Sequence, residues 1–260
     1  MFRNMYDTDV TVWSPQGRLL QVEYANEAVK QGSACLGLCS DTHVVLCALK
    51  RSPHVLASHQ KKLLKIDDHM GIAIAGLNAD ARSLAKYMRN ECLNHRYIYG
   101  SALQASRLVT NVADKHQRST QMYVRRPYGV GLLVGAVDAT GPHLYETMPS
   151  GQYYEYTAMA IGARAQSGKT YLEKHSASFG SCNIDDLVKH GVKAIAGCVQ
   201  SDKTLDSTNL SIVVIGPDQQ YTLYDGDATQ PYLDSIELEG NMPVPAEGDE
   251  VADTGDAMMA

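Results

Sequence analysis

An α+β fold, a four-layer αββα sandwich of two antiparallel sheets, is what this sequence predicts, and three observations carry the prediction. The apolar runs are short and come in pairs joined by tight turns, as hairpins do. The amphipathic helices also come in pairs instead of alternating singly with strands. The series of strand pairs, helix pair, strands, helix pair and strands then runs on without a change of composition, so a single domain holds it. A doubly wound parallel sheet needs single alternation of strand and helix, which this order does not offer.

The first seventeen residues precede any regular pattern. Within them "SPQG" sets Pro15 second and Gly17 fourth in a turn, the places a type I turn prefers. A helix then covers 18–31: Leu19, Val22, Ala25 and Val29 share one face, and Gly32 supplies the stop. "SACLGLCS" and "HVVLCALKR" are strands turning at Asp41-Thr42, and "KLLKID" and "MGIAIAG" are a second pair turning at Asp67-Asp68-His69. In the next helix Ala81, Leu84, Ala85, Met88 and Cys92 recur at three- and four-residue spacing, with Asn78 as N-cap and Gly100 past the end. Its partner covers 105–116, with Leu108, Val109 and Val112 inward. Strands follow in "YGVGLLVGAVD", "HLYETMP" and "TAMAIG", then helices at 163–175 and 184–195, then a hairpin of "LSIVVIG" and "QQYTLYD".

The domain is expected to end at 232. Residues 233–260 carry eight carboxylates (Asp234, Glu237, Glu239, Glu247, Asp249, Glu250, Asp253, Asp256) with no basic or aromatic side chain, so an acidic disordered tail is expected there. Setting those eight aside from a net charge of −6 leaves the body near +2, which argues against a nucleic-acid partner. The longest apolar runs, such as 130–137, are far too short to cross a bilayer, so no membrane partner is expected. Arg3, Asp7 and Asp9 interrupt the region where a secretory signal would be apolar, which points to the cytoplasm and nucleus. The six cysteines show no C-x-x-C pairing and read as reduced thiols packed as small hydrophobes.

Motifs for cofactor chemistry are weak. "GARAQSGKT" approximates a phosphate-binding loop, but five residues separate Gly162 from Gly168 where four are required. Gly168 and Lys169 also fall inside the expected helix instead of at its start. None of the nine histidines forms an H-x-x-x-H or H-E-x-x-H set, and Asp67-Asp68 sit where a turn favours aspartate. No cofactor and no metal are expected.

Five stretches carry a resemblance: Tyr6-Asp7, "SPQGRLLQVEYA", "EAVKQGS", "KIDDHMGIAIAGLNADAR" and "RRPYGVGLL". Together they resemble the alpha-type subunits of the 20S proteasome across nearly all of the folded body. The resemblance implies the N-terminal-nucleophile hydrolase sandwich with an extra N-terminal helix. It implies a structural and gating role in the outer ring, within ubiquitin-dependent protein degradation. Its partners would be the other alpha subunits of a seven-membered ring, the beta-ring subunits, and regulatory ATPases or other activators.

Catalytic beta-type relatives use a threonine freed as residue one after a glycine, assisted by an Asp and a Lys. Those three positions fall here at Ser33 after Gly32, at Leu49 and at Lys62. Leu49 carries no charge and Ser33 lies mid-chain, so no peptidase activity is expected. A free-standing N-terminal-nucleophile amidohydrolase using Ser33 is the alternative, and an assembly protein outside the ring is a third reading. The resemblance also assigns residues 1–17 as a gate segment, with Tyr6, Asp7, Pro15 and Tyr24 stabilising its open state. Lys62, Gly76 and Leu77 are assigned to the pocket that receives regulator C-terminal tails. Thr8 departs from the family, which often has Arg there, and loses an ion pair.

Overall fold

In a computed structural model, residues 5–52, 54, 56–200 and 204–240 are described, with side chains of 236–240 left aside. Helix α1 (Leu20–Gln31) leads directly into β1 (Cys35–Cys39) and β2 (Val44–Leu49). These continue through β3 (Leu63–Asp67) and β4 (Met70–Gly76) to the helix pair α2 (Asn78–Tyr99) and α3 (Ala105–Gln121). Strands β5 (Val130–Asp138), β6 (Gly141–Thr147), β7 (Tyr153–Glu155) and β8 (Ala158–Ile161) precede a second pair, α4 (Ala165–His175) and α5 (Ile184–Ala196). Strands β9 (Leu210–Ile215) and β10 (Thr222–Asp225) and helix α6 (Gln230–Gly240) complete the order.

One sheet runs β10-β9-β2-β1-β8 and the other β3-β4-β5-β6-β7, with antiparallel pairing throughout. Strand periodicity sorts their side chains into layers. Cys35, Val44, Leu46, Ala48, Val213 and Ile215 pack between the sheets. Their alternates Leu36, Leu38, Val45, Cys47, Ile212 and Val214 pack under α4 and α5. On the far side Ile72, Ile74, Leu132 and Val134 meet Leu84, Met88, Leu108 and Val112 of α2 and α3. The central strands are buried on both faces, which is why they read as unbroken apolar runs. The predicted four layers are present.

Differences from the expected boundaries have local causes. Helix α1 begins at Leu20, not at 18, because the Arg18 carbonyl accepts from Ser14 N–H (2.9 Å) and closes the turn. Helix α2 is preceded by Leu77, with Asn78 its first residue, while Gly100 takes the expected left-handed stop at φ 69. Helix α3 continues past 116 to Gln121, since Ser119 and Thr120 are buried. Strand β7 is an addition to the expected set: its three residues are all exposed and show no alternation.

Helix α4 starts at Ala165, not 163, because Ala163 N–H is drawn to the Gly32 carbonyl (2.6 Å) and Arg164 turns left-handed. Gly168 lies buried inside that helix, which closes the phosphate-loop reading. The expected tail boundary at 233 is too early: α6 runs to Gly240, packs on α5 and buries Leu233. The remainder of that tail, 241–260, lies outside the described residues. No helix among the described residues is long and apolar enough to cross a membrane.

Candidate functional site: the Gly32–Ser33 junction and the N-terminal segment

Helix α1 lies over the ends of β4 and β5 and delivers the chain into β1 through Gly32. The backbone of Gly32 is ordinary (φ −61, ψ 148), so the reason for glycine is space. A Cβ there would sit 2.3 Å from Gly76 N and 3.0 Å from the Ala75 carbonyl carbon. Gly76 does need its conformational freedom, at φ 114, and a Cβ on it would lie 2.3 Å from the Gly129 carbonyl oxygen. Three backbone segments therefore touch without intervening side chains.

That contact is held from behind by Asp80 on the first turn of α2. Its carboxylate takes a two-point contact from Arg126 (2.7 and 2.8 Å) and accepts Gly129 N–H (2.9 Å). Burial alone would raise the Asp80 pKa, but Arg126 and the Gly129 amide outweigh it and hold it below the usual range. Gly129 in turn accepts Leu77 N–H (2.8 Å). Sequence reading missed Asp80 and Arg126 as a pair. Their signal was a carboxylate one turn into a helix and an arginine beside "PYG", 46 residues apart.

Ser33 is buried and has peptide bonds on both sides. Lys62, just before β3, is buried too, at 3% exposure. Its ammonium donates to the Ser33 carbonyl, to Ser33 Oγ (2.8 Å) and to the Ala34 carbonyl (3.5 Å). With two carbonyls drawing on the same group, Nζ is placed as a donor to Oγ. Burial, with a smaller contribution from Arg51, pushes the Lys62 pKa down, against the pull of Cys35. Leu49 lies half-buried nearby, its N–H on the Ala34 carbonyl (3.0 Å), and no carboxylate contacts Ser33 or Lys62 among the described residues.

The expected pocket residues thus meet through the junction, Gly76 against Gly32 and Lys62 against Ser33, while Leu77 stands 48% exposed at the corner. The ammonium of Lys62 faces inward. It is not a solvated strand-edge charge in this chain.

The N-terminal segment folds back along α1. Tyr24 OH donates to Asp7 Oδ2 (3.0 Å), and Gln21 Nε2 contacts the Asp7 carbonyl. Val10 is buried beside the end of α3, in a cleft it shares with Trp13, Leu19 and Gln117. The Ser14 carbonyl accepts Gly17 N–H (2.9 Å), so Pro15 stands exposed at the head of the expected turn. Of the four expected gate residues, Asp7 and Tyr24 touch; Tyr6 and Pro15 lie at either end of the segment.

Residues 29–215 match the proteasome subunit family, and residues 6–28 match the N-terminal signature of A-type proteasome subunits. The chain belongs to the alpha-type proteasome subunits, which are structural, non-catalytic members of a protease complex and assemble with other proteasome subunits. It is 52% identical over 240 residues to the alpha type-1 proteasome subunit of Dictyostelium discoideum, covering 92% of this chain and 97% of that one. It is 50% identical over 236 residues to the probable alpha type-6 subunit of Schizosaccharomyces pombe, covering 91% and 87%. With alpha type-6 of Saccharomyces cerevisiae the identity is 48% over 235 residues, covering 90% and 100%.

Proposed function

We propose that this subunit gates the channel of the core particle and offers a docking corner to regulators, without chemistry at Ser33. The Tyr24–Asp7 hydrogen bond carries the reading, because it ties the segment ahead of the helix to the helix itself. Residues 1–17 act as the gate and 18–31 as the plug that seals the sandwich end. Tyr6, Asp7, Pro15 and Tyr24 bias the gate between two populations, for which a few kcal/mol of differential contact suffices. Thr8, exposed and uncharged, supplies no ion pair to either state.

The docking corner consists of Gly76 and Leu77 with Lys62 behind them. A regulator's terminal carboxylate would compete with the Ser33 carbonyl for the Lys62 ammonium, exchanging one charge-assisted contact for another. The occupants are regulatory ATPases and other activators, and the compartments are cytoplasm and nucleus. Inertness at Ser33 rests on three features: a nucleophile locked in peptide bonds, an apolar Leu49 at the acid position, and a lysine whose protons are already donated.

The test uses assembled particles carrying Tyr24→Phe or Lys62→Ala in this chain. Tyr24→Phe is expected to lower basal peptide hydrolysis, and Lys62→Ala to weaken stimulation by a tail-bearing activator while leaving basal hydrolysis intact. Unchanged gating in the first and unchanged stimulation in the second would remove the respective roles.

A further inference from the structure

A cleft opens beside the Gly32–Ser33 junction, where β1 begins and β2 ends, lined there by Ala34 and Leu49, and nothing in the gating role uses it. It measures about 280 Å³ and is bounded by the end of β2, the β8–α4 turn and the loop ahead of β9. Its charged lining is uneven: Lys50, Arg51 and Arg164, with His59, face a single carboxylate, Asp206, among the described residues. Asp206 is already occupied, accepting from the Thr208 hydroxyl (2.6 Å) and from the Thr208 and Asn209 amides (2.9 and 3.0 Å). Lys50 is paired with Asp225, which lies outside the cleft. Neither guanidinium, of Arg51 or of Arg164, has a hydrogen-bond or ion-pair partner among the described residues, and both are exposed.

Arg164 is also the one non-glycine residue with positive φ among the described residues (φ 58, ψ 17). A side chain in that conformation is strained, and such positions persist where the surroundings over-determine them. Here the Ala163 amide is fixed on the Gly32 carbonyl and α4 starts at Ala165, so the guanidinium is held at the cleft.

We propose that this cleft is an anion site, and that its occupant is the chain's own segment 241–260. Charge is the first reason: that segment holds Glu247, Asp249, Glu250, Asp253 and Asp256 and no Lys, Arg or His. Reach is the second. The segment starts where α6 ends, at Gly240, and α6 packs on α5. Twenty residues span up to roughly 65–70 Å when extended, against a radius of gyration of about 18 Å for a body of this length. Tethering raises the local concentration of the carboxylates to the millimolar range, enough for weak pairing with two exposed guanidinium groups. The contact is electrostatic and close to the surface, so salt weakens it.

Amide exchange read by mass spectrometry tests this on assembled particles, comparing the full chain with one truncated after Gly240. At low salt, peptides covering 49–52 and 163–169 are expected to exchange at least about threefold more slowly with the segment present. That protection should vanish at roughly 0.5 M salt. It should vanish equally in a full-length chain carrying E247Q, D249N, E250Q, D253N and D256N, and in Arg51→Ser or Arg164→Gly, the last of which relaxes the backbone. Equal exchange in the two lengths overturns the proposal, as does protection elsewhere on the surface or protection surviving the five amides. Protection of the truncated particle by a free peptide of the same sequence, with none from the attached segment, assigns the cleft to another chain and overturns it as well.

Discussion

Ser33 and Lys62 sit 2.8 Å apart, close enough to suggest a nucleophile and its base, yet the protons run the other way. Because the ammonium donates to two carbonyls as well, removing the hydroxyl leaves it still held. Ser33→Ala is therefore expected to cost only about 1 kcal/mol in stability and nothing in peptide hydrolysis by the assembled particle. A fluorogenic-peptide assay checks this, and loss of activity would restore the amidohydrolase alternative. At the gate, Tyr24→Phe removes one exposed hydrogen bond to Asp7. About 1 kcal/mol corresponds to roughly a fivefold shift in the open population, seen as slower basal hydrolysis, and Asp7→Asn should shift it less because the amide still accepts.

Between elements, the tightest requirement falls where α1 enters β1. Gly32→Ala keeps an allowed backbone but drives a methyl group into the amide of Gly76. Overpacking against backbone, which cannot rotate away, should cost about 3 kcal/mol or more, measured as a lowered denaturation midpoint. The same change should loosen the Lys62–Ser33 contact one residue on. Asp80→Asn tests the support behind the corner. It keeps the shape but weakens the pairing with Arg126 and the Gly129 amide, at a cost of about 1–3 kcal/mol. Regulator binding should fall in parallel, since Leu77 hangs from Gly129. Stability lost without any change in regulator binding would separate the corner from docking.

Across the whole molecule, pH reaches the core through His116, fully buried on α3 against the Tyr128 ring (centroids 5.1 Å apart). Burial pushes its pKa from 6.5 down to about 4, against the pull of Asp80. The folded chain refuses a proton that the unfolded chain accepts, so this contribution is complete above pH 6.5 and is lost as pH falls toward 4. The loss amounts to about 3 kcal/mol at most, read as a falling denaturation midpoint between pH 7 and pH 5. His116→Leu should flatten that slope. The depressed carboxylates Asp80, Asp138, Asp206 and Asp225 titrate below the ordinary aspartate range, while in the same window His43, also pushed down by burial, adds to the slope and Glu146, pushed up by burial, opposes it.

The layer order was legible because burial on both faces writes a strand as a continuous apolar run, as in Val44–Leu49, and burial on one face writes a helix as a stripe, as from Ala81 to Cys92. The SPQG turn and the stop at Gly100 were legible for the same local reason, since each is set by one or two backbone dihedrals. Strand β7, exposed throughout, and the continuation of α6 to Gly240 left no such trace. The sequence by itself therefore determined the four layers and the family to which the N-terminal signature belongs. Tertiary structure alone decided that Gly32 abuts Gly76, that Asp80 holds Arg126 and that Lys62 turns inward to Ser33. Local periodicity records which way a side chain faces, whereas contacts between residues 29 to 46 positions apart depend on how whole layers are stacked.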